Sequence, residues 1–400
     1  MVAEAEEVTI RVVESATDVD AVAWNRLANP VFGPTTDYDY NPFLSHAFFD
    51  ALEKSDSASR EEGWLAQHLV MQAQIGSKRE VIGVLPCYLK NHSQGEYVFD
   101  HGWADAYERA GGSYYPKLQA TVPFTPATGR RLFVGEVPDA DKRRLMLAGG
   151  LQEICDRLGV SSAHITFMSE HEWDLLGEQS FLKRTDQQFH WLNDGYADFD
   201  EFLAALSSRK RKNIRKERAA ALADNGITIE WLTGNDLTED IWDIFYRFYM
   251  DTGSRKWGRP YLTREFYSMI GEALADDIVL VMAKRNHSYV AGAINFVGSH
   301  RLFGRHWGCV EDHPFLHFEV CYYNAIDYAI AHKLERVEAG AQGPHKLARG
   351  YMPQITHSAH FLPNPSFRRA VEDYLEHERH AVERESEAIA RHGPFRKENQ

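Results

Sequence analysis

Apolar residues recur along this chain with helix-type and strand-type spacing, in an order of elements that occurs twice. The order predicted for the first half is a helix capped by Asn41 or Ser45, strands over 67–73, 80–89 and 96–101, a helix over 140–158 and a strand from His164. The order predicted for the second half is a helix over 263–274, strands over 278–283, 289–297 and 301–307, a helix over 316–332 and a strand over 336–339. The pattern therefore predicts a duplicated α/β unit.

Two local matches support the duplication. The run VIGVL from Val81 aligns with VAGAI from Val290, and each run opens a predicted strand that contains a glycine. FLKRTDQQFHWL from Phe181 aligns with YMPQITHSAHFL from Tyr351, so an aromatic residue precedes a histidine by the same spacing in both copies. A helix, a meander of strands, a helix and two further strands is the order of a GNAT unit, in which two central strands splay apart and admit a donor carbonyl.

The predicted fold class is therefore α/β (α+β), with two tandem GNAT-like domains that have mixed central sheets, followed by a charged C-terminal helix. We predict the domains over 1–193 and 194–365 and the helical tail over 366–400. The second domain is expected to open with a basic helix over about 199–223. Ala370, Tyr374 and Leu375 are predicted as the docking face of the tail.

Composition limits the location and the partners of the chain. In 400 residues, 44% are apolar, which is enough for two cores, while no apolar run has the length of a membrane span. The four cysteines lack paired spacing, so we expect reduced thiols and a cytoplasmic protein. A net charge of −14 argues against a nucleic-acid-binding face, and DNA is not an expected partner.

The basic segment SSRKRKNIRKER departs from this acidic average. Its cations, Arg211 and Arg215 among them, predict an anion clamp for a nucleotide, a pyrophosphate or the acceptor end of a tRNA. The alternative is a solvated helix face without a ligand.

The densest group of reactive side chains lies in the second half. After the strand over 336–339, Gly343 and Gly350 flank Lys346 and Arg349, which stand three residues apart and can address one phosphate or oxyanion. Gln342 and backbone N–H groups of this loop are candidates for binding the oxyanion.

Acyl transfer to an amine also needs a base, and three residues of the second half are candidates: Glu319, His306 and Glu338. Glu338 and Trp307 are also predicted to contact substrate. Each carboxylate has the alternative of an ordinary ion pair. We predict no metal site, because Pro314 breaks the helical spacing of the nearby histidines.

In the first half, the segment DHGWADAYERAGGSYYP supplies His101, Trp103 and Tyr114, which are predicted to form an aromatic substrate-binding wall. A loop packed without a ligand is the alternative.

These motifs resemble those of the Fem-like acyltransferases, a tandem-GNAT superfamily that includes the peptidoglycan aminoacyltransferases and a group of predicted N-acyltransferases. HFEVCYYNAIDYAIAHKLERVEAGAQGPHKLARGYMP from His317 is similar to the Fem-type helix, strand and K-x-x-x-G loop, in which Lys346, Arg349 and Gly350 occupy the motif positions. The basic helix from Leu206 is similar as well, and the resemblance covers nearly the whole chain. The pyrophosphate loop [QR]-x-x-G-x-[GA] of acetyl-CoA-dependent GNATs and the long coiled-coil arm of some Fem enzymes are missing from the sequence.

The resemblance implies an N-acyltransferase that moves an acyl or aminoacyl group from an activated donor to a small-molecule or peptide amine. We expect no bound cofactor, and either acyl-CoA or aminoacyl-tRNA as co-substrate. One alternative is an aminoacyl-tRNA-dependent transferase acting on a peptidoglycan precursor or a protein amine, and another is a non-catalytic scaffold. The oligomeric state stays open.

Overall fold

The computed structural model describes residues 7–30, 39–222, 226–256, 260–341, 343 and 345–396. The chain forms two compact units. Unit 1 consists of Met1–Asp186 and Thr356–Val382, and unit 2 of Gln187–Ile355 and Glu383–Gln400. Each unit thus takes a C-terminal segment, in contrast to the predicted division into 1–193, 194–365 and a separate tail.

Unit 1 contains two sheets, with strand orders β1-β3-β4 and β2-β5-β6-β7. Its strands are β1 (Val8–Val13), β2 (Trp64–Ala66), β3 (His68–Ile75), β4 (Lys78–Leu85), β5 (Tyr88–Lys90), β6 (Lys117–Ala120) and β7 (Ala163–Met168). Its helices are α1 (Ala21–Ala28), α2 (His46–Lys54), α3 (His101–Arg109), α4 (Ala140–Leu158) and α5 (Glu170–Gly177).

Unit 2 has the strand order β8-β13-β12-β11-β10-β9. The remaining strands of the chain are β8 (Leu182–Leu192), β9 (Ile227–Leu232), β10 (Ile278–Arg285), β11 (Ser288–Val297), β12 (Arg301–Cys309), β13 (Arg336–Glu338) and β14 (Met352–Phe361). The remaining helices are α6 (Phe199–Ala205), α7 (Ser208–Leu222), α8 (Glu239–Lys256), α9 (Arg264–Ala273), α10 (Leu316–Phe318), α11 (Asn324–Ala331) and α12 (Pro365–Arg391). The chain passes from one unit to the other within β8, β14 and α12.

The two units share one arrangement of three strands, which confirms the predicted tandem GNAT-like fold. In unit 1, β6 and β7 pair in parallel across the crossover helix α4, and residues 357–361 of β14 add to β7 antiparallel. In unit 2, β12 and β13 pair in parallel across α10 and α11, and residues 190–192 of β8 add to β13 antiparallel. Each unit therefore completes its sheet with a strand that comes from the other half of the sequence.

One predicted strand is wrong. Residues 96–101 form no strand, and α3 begins at His101 because Trp103, Ala104 and Tyr107 place apolar side chains at helical spacing against an apolar cluster. The strand that pairs with β7 is β6, which follows the glycine-rich loop. The capping prediction for α2 is confirmed, since the Ser45 hydroxyl accepts from the N–H of Phe48.

Two helices differ in detail from the prediction. The basic segment is divided into α6 and α7, because Leu206 is buried between them. The tail is one helix as predicted, with Leu375 buried, but its buried face continues through Val371 to Phe367, whereas Ala370 and Tyr374 are exposed. Among the described residues, we find no helix that combines the length and the apolar character of a bilayer span.

Candidate functional site

The two central strands of unit 2 part after a short stretch of pairing. β12 pairs with β13 only over Arg301–Phe303, although β12 continues to Cys309. The β11–β12 register shifts at the same level, between the pairs Ala293–Trp307 and Asn295–Gly304, which is the mark of a bulge in β12. Among the residues that the structure describes, no strand pairs with this edge of β12 beyond Phe303.

Lys346 lies at the end of β13, beside this parting. Its Nζ donates to the carbonyl oxygen of Ala339 and, at 3.1 Å, to that of Gly340. The side chain is buried, and this burial lowers the pKa of Lys346 to about 8. Gly343 has φ +115°, and a Cβ there would lie 2.3 Å from the His345 ring, so the turn that carries Lys346 requires glycine.

Glu338 and His190 form a directly opposed pair on β13 and β8, also at the end of β13. Both side chains are buried, with Glu338 Oε2 3.9 Å from His190 Nε2 and Glu338 Oε1 3.2 Å from Arg301 Nη1. Burial lowers the pKa of His190 against the opposing effect of Glu338, and Arg336, Arg301 and Lys346 contribute to the lowering. The structure therefore brings the predicted Lys346 and Glu338 together around a histidine that the sequence analysis did not select.

Arg349 is held behind this loop. Its guanidinium lies 3.4 Å from the ring centroid of Phe318, and its Nη2 donates to Glu217 Oε2 at 2.7 Å. Its Nη1 donates to the carbonyl of His345 at 2.7 Å. Gly350 follows with φ +92°, and a Cβ there would meet the Phe202 ring at 2.8 Å. As the structure stands, Arg349 ties the loop to α7.

Glu319 lies in a π-helical turn between α10 and α11 and is fully buried. Arg218 of α7 donates to both of its carboxylate oxygens, at 2.8 to 3.2 Å, and also to Asp327 at 2.6 Å. Burial raises the pKa of Glu319 against the opposing effect of Arg218. The carboxylate thus has the ion pair that was the alternative to a catalytic role.

The other candidates of unit 2 lie apart from Lys346. His306 and Trp307 are consecutive on β12, so they point to opposite faces, where His306 contacts Tyr249 (ring centroids 5.0 Å apart) and Trp307 contacts His317 (5.2 Å). Desolvation lowers the pKa of His306. Gln342 lies outside the described residues.

Apart from Arg218, which binds the buried Glu319, the cations of α7 are exposed or half-buried at the surface of the helix. Arg215 is exposed and pairs with the equally exposed Asp200 at 2.8 Å, and Arg211 is half-buried. No group of His, Cys, Asp and Glu suited to a metal ion occurs in the part of the chain that the structure describes.

In unit 1, Trp103 forms part of the wall of a cavity of about 680 Å³ between α3 and α12. Most of the cavity wall is aromatic or small, and these residues include Phe99, Gly102, Trp103, Ala106, Tyr107, Ala110, Phe367, Ala370 and Tyr374. His101 is exposed and stacks on Phe99 at 6.1 Å. Of the three aromatic candidates in this half, Trp103 alone contributes to this cavity.

Tyr114 belongs instead to a buried polar network. Its hydroxyl donates to Asp100 at 2.7 Å, and Lys117 donates to Asp100 and, at 2.7 Å, to Glu96. Burial raises the pKa of Glu96 to about 7, whereas Lys117 overcomes the effect of burial on Asp100 and lowers its pKa. The hydroxyl of Tyr114 also lies 3.3 Å from His164, which extends the network to β7.

The chain has relatives among protein families and solved structures. A family model described as FemAB-like, peptidoglycan biosynthesis and recognition, matches residues 15–397. No curated protein matches the chain significantly. The C-terminal DUF2156 domain of a candidate lysylphosphatidylglycerol synthetase from Agrobacterium fabrum is similar in structure, with 9% identity, a TM-score of 0.52 and coverage of 90% of this chain and 96% of that one. FemX is also similar, with 12% identity, a TM-score of 0.48 and coverage of 80% of this chain and 93% of that one. A tandem GNAT protein from the clavulanic acid biosynthesis pathway has 12% identity, a TM-score of 0.44 and coverage of 90% of this chain and 99% of that one.

Proposed function

Because the chain belongs to the FemAB-like family, we propose that it transfers an acyl or aminoacyl group to an amine at the parting of β12 and β13. Membership makes the chain a transferase of the Fem and GNAT type that acts on amines. The observation that carries the proposed site is the position of Lys346 and Glu338, both predicted from sequence, at the end of β13.

The parting of the strands offers a place for the donor carbonyl. Backbone N–H groups along the unpaired part of β12 can donate to that oxygen, and such fixed donors favour the oxyanion that develops during acyl transfer. Lys346 supplies a positive charge beside this position. Its ammonium holds the carbonyls of Ala339 and Gly340, so it also fixes the end of β13 against which the donor would lie.

The loop around Lys346 owes its shape to Gly343, Gly350 and Arg349. We assign Arg349 to loop position rather than to direct phosphate contact, because Glu217 and Phe318 already bind its guanidinium. The half-buried Arg211 and the exposed Arg215 of α7 are the proposed contact for the phosphates of the donor.

The cavity of unit 1 is proposed as a separate binding site for an apolar group. Its volume is in the usual range for small-molecule sites, about 300–1,000 Å³, and Trp103, Tyr107 and Phe367 give it aromatic walls. Arg184 also borders the cavity, but Glu378 binds its guanidinium through two hydrogen bonds of 2.8 Å. The cavity therefore offers no unpaired cation from Arg184 and suits a neutral, apolar group.

The test is amine-dependent release of the carrier from a panel of donors. Acetyl-CoA, octanoyl-CoA and alanyl-tRNA would be incubated with small amines, lysine peptides and a peptidoglycan precursor peptide. We expect turnover with at least one pair and a loss of about 100-fold or more in Lys346→Met. Lys284→Met is the matched control, because Lys284 is a partly exposed lysine of the same unit that pairs with Glu230. Full activity of Lys346→Met would contradict the proposal.

The choice of carrier has its own test. If the carrier is tRNA, affinity for alanyl-tRNA should decrease steeply with salt, and the slope should flatten when Arg211 and Arg215 are both changed to Gln. If the carrier is coenzyme A, tRNA binding should be negligible in the unchanged protein as well. The double variant should then raise KM for the acyl-CoA.

A further inference from the structure

His190 of unit 2 is buried, and one of its ring nitrogens has no hydrogen-bond partner. We infer that His190 is the general base of the proposed transfer and that Glu338 is the carboxylate that positions it and stabilises its protonated form. The inference rests on the proposed function, and it adds a residue that was not among the site candidates predicted from the sequence.

The two ring nitrogens of His190 have different surroundings. Nε2 lies 3.3 Å from Gln188 Oε1, an atom that only accepts, so Nε2 carries the hydrogen. Nδ1 therefore carries the lone pair, and it is buried without a hydrogen-bond partner. An imidazole nitrogen with a free lone pair can take a proton from an amine that approaches it.

Glu338 is equally unusual for a buried carboxylate. Arg301 binds its Oε1 at 3.2 Å, while Oε2 has no hydrogen-bond partner and faces Nε2 of His190 at 3.9 Å. A buried acceptor of this kind costs free energy when it is left unpaired. It becomes favourable once the ring gains a second proton, because the carboxylate then faces an imidazolium cation.

Burial has the largest effect on the resting state of the ring, and it lowers the pKa of His190. Among the charged groups on neighbouring elements, Glu338 of β13 favours the charged imidazolium, whereas Arg336, Arg301 and Lys346 oppose it. The ring is therefore neutral at pH 7 and can accept a proton.

The step then balances as follows. The amine nitrogen forms a bond to the donor carbonyl carbon, and one amine proton moves to Nδ1 of His190. The bond from that carbon to the carrier sulfur or oxygen breaks as the carbonyl re-forms. The proton on Nδ1 passes to the leaving sulfur or oxygen, which returns the neutral ring and gives an amide and a free carrier.

The first experiment is the pH dependence of kcat for the donor and amine that give turnover in the panel. We expect kcat of the unchanged protein to decrease with unit slope at acid pH, as His190 becomes protonated. His190→Gln should lose about 100-fold to 10,000-fold, with a rate that increases with pH as the amine itself loses its proton. Imidazole added to His190→Ala should restore part of the rate.

His360→Gln is the matched control. His360 is the histidine of the other copy at the aligned position, and it is equally buried in unit 1. We expect His360→Gln to keep the kcat and its pH profile at a temperature where the variant is folded. A His190→Gln variant with unchanged kcat and profile would overturn the inference, even if the transferase activity itself is established.

A second measurement needs no turnover. In protein labelled with ¹⁵N-histidine, the signal missing from His190→Gln identifies the ring, and its nitrogen shifts report the tautomer at pH 7. We expect hydrogen on Nε2 alone and titration below the ordinary range. Hydrogen on Nδ1, or an imidazolium at pH 7, would overturn the inference even if every donor in the panel is inactive.

Discussion

Each unit has a histidine at the same position of the strand that it takes from the other half of the sequence, β14 in unit 1 and β8 in unit 2. The surroundings of the two histidines differ. His360 of β14 lies opposite His164 of β7 in unit 1, and His190 of β8 lies opposite Glu338 of β13 in unit 2. In each case the residue two positions earlier, Ser358 or Gln188, faces Nε2.

In unit 1, every nitrogen of the two rings has a partner. The Nδ1 atoms of His164 and His360 share a hydrogen bond of 2.7 Å, Ser162 contacts Nε2 of His164 at 2.8 Å, and Ser358 contacts Nε2 of His360 at 3.1 Å. The polar network of Asp100, reached through Tyr114, continues from this pair. The ring nitrogens of the pair are thus fully bonded, and satisfied groups of this kind specify one packing of a core, although Oδ1 of Asp100 and Oε1 of Glu96 in the adjoining network are buried without a partner.

In unit 2, the same position retains an unpaired ring nitrogen and an unpaired carboxylate oxygen. Buried polar atoms without partners are rare in folded proteins, and each has a cost in stability. At the same position of the fold, the ring nitrogens of unit 1 are all hydrogen-bonded, whereas unit 2 keeps one ring nitrogen and one carboxylate oxygen without a partner. We therefore locate stability in the first pair and chemistry in the second.

The largest expected effect comes from the buried ion pairs of Lys117 in unit 1. Lys117→Met removes the cation that neutralises Glu96 and Asp100, which are both buried. We expect a loss of about 3–5 kcal/mol in the free energy of unfolding, because the carboxylates stay buried without a counter-ion. Lys54→Met, which removes an exposed ion pair in the same unit, should cost less than about 1 kcal/mol. Urea denaturation measures the free energy of unfolding of both variants. Equal losses would show that the buried ion pairs of Lys117 contribute no more to stability than the exposed pair of Lys54.

A pair of variants then tests the comparison directly. Glu338→Gln should lower kcat by about 10-fold to 100-fold with a nearly unchanged unfolding midpoint, because it removes the charge that stabilises the imidazolium. His164→Gln should do the reverse, with a loss of about 1–3 kcal/mol in stability and an unchanged kcat. The measurement is kcat beside thermal unfolding for both proteins. If Glu338→Gln loses as much stability as His164→Gln and keeps its kcat, then Glu338 has a structural role and no part in the transfer.

Sequence patterns predicted the parts of the fold that depend on local spacing. The repeated order of elements, the cap of α2 and the tail helix all follow from periodicity within one segment. The strand over 96–101 was wrong because a short apolar run does not specify a strand by itself, and here Glu96 and Asp100 bind the buried Lys117 while α3 begins at His101. The exchange of β8 and β14 between units depends on contacts between distant segments, which periodicity does not contain.

The same limit explains the candidate site. Lys346 and Glu338 were selected because charged residues beside glycines follow a predicted strand. His190 was visible as the histidine of the repeated pattern, yet its pairing with Glu338 exists only once β8 lies beside β13. Glu319 was selected for its charge, but Arg218 of α7 neutralises it, and a single sequence does not show such a long-range ion pair.

Acidification should lower the free energy of unfolding through the buried histidine pair of unit 1, His164 and His360. Burial lowers the pKa of His164 to about 3 and that of His360 well below its ordinary value, so the unfolded chain binds protons near pH 6.5 that the folded chain refuses. Stability from these neutral rings is complete above pH 6.5 and decreases as the pH falls, by about 1.4 kcal/mol per histidine at pH 5.5. Urea denaturation between pH 7.5 and 5.5 should show a weaker decrease in His360→Gln than in a variant of the exposed His377. Identical pH dependence in the two variants would show that unit 1 does not exclude the proton.

The smallest expected effect concerns the residue that faces Nε2 in each copy. Ser358→Ala leaves Nε2 of His360 without its partner inside unit 1, and we expect a loss of about 1 kcal/mol in stability with no change in kcat. Gln188→Ala removes the acceptor that fixes the tautomer of His190, so a fraction of the rings should carry hydrogen on Nδ1 and kcat should decrease several-fold. Nitrogen shifts of the labelled histidines, measured beside kcat, separate the two effects. Ser358 and Gln188 occupy aligned positions in the two copies. A loss of stability in Ser358→Ala and a loss of kcat in Gln188→Ala would mean that the duplication produced one histidine for packing and one for proton transfer. Losses of stability alone in both variants would mean that both histidines are structural.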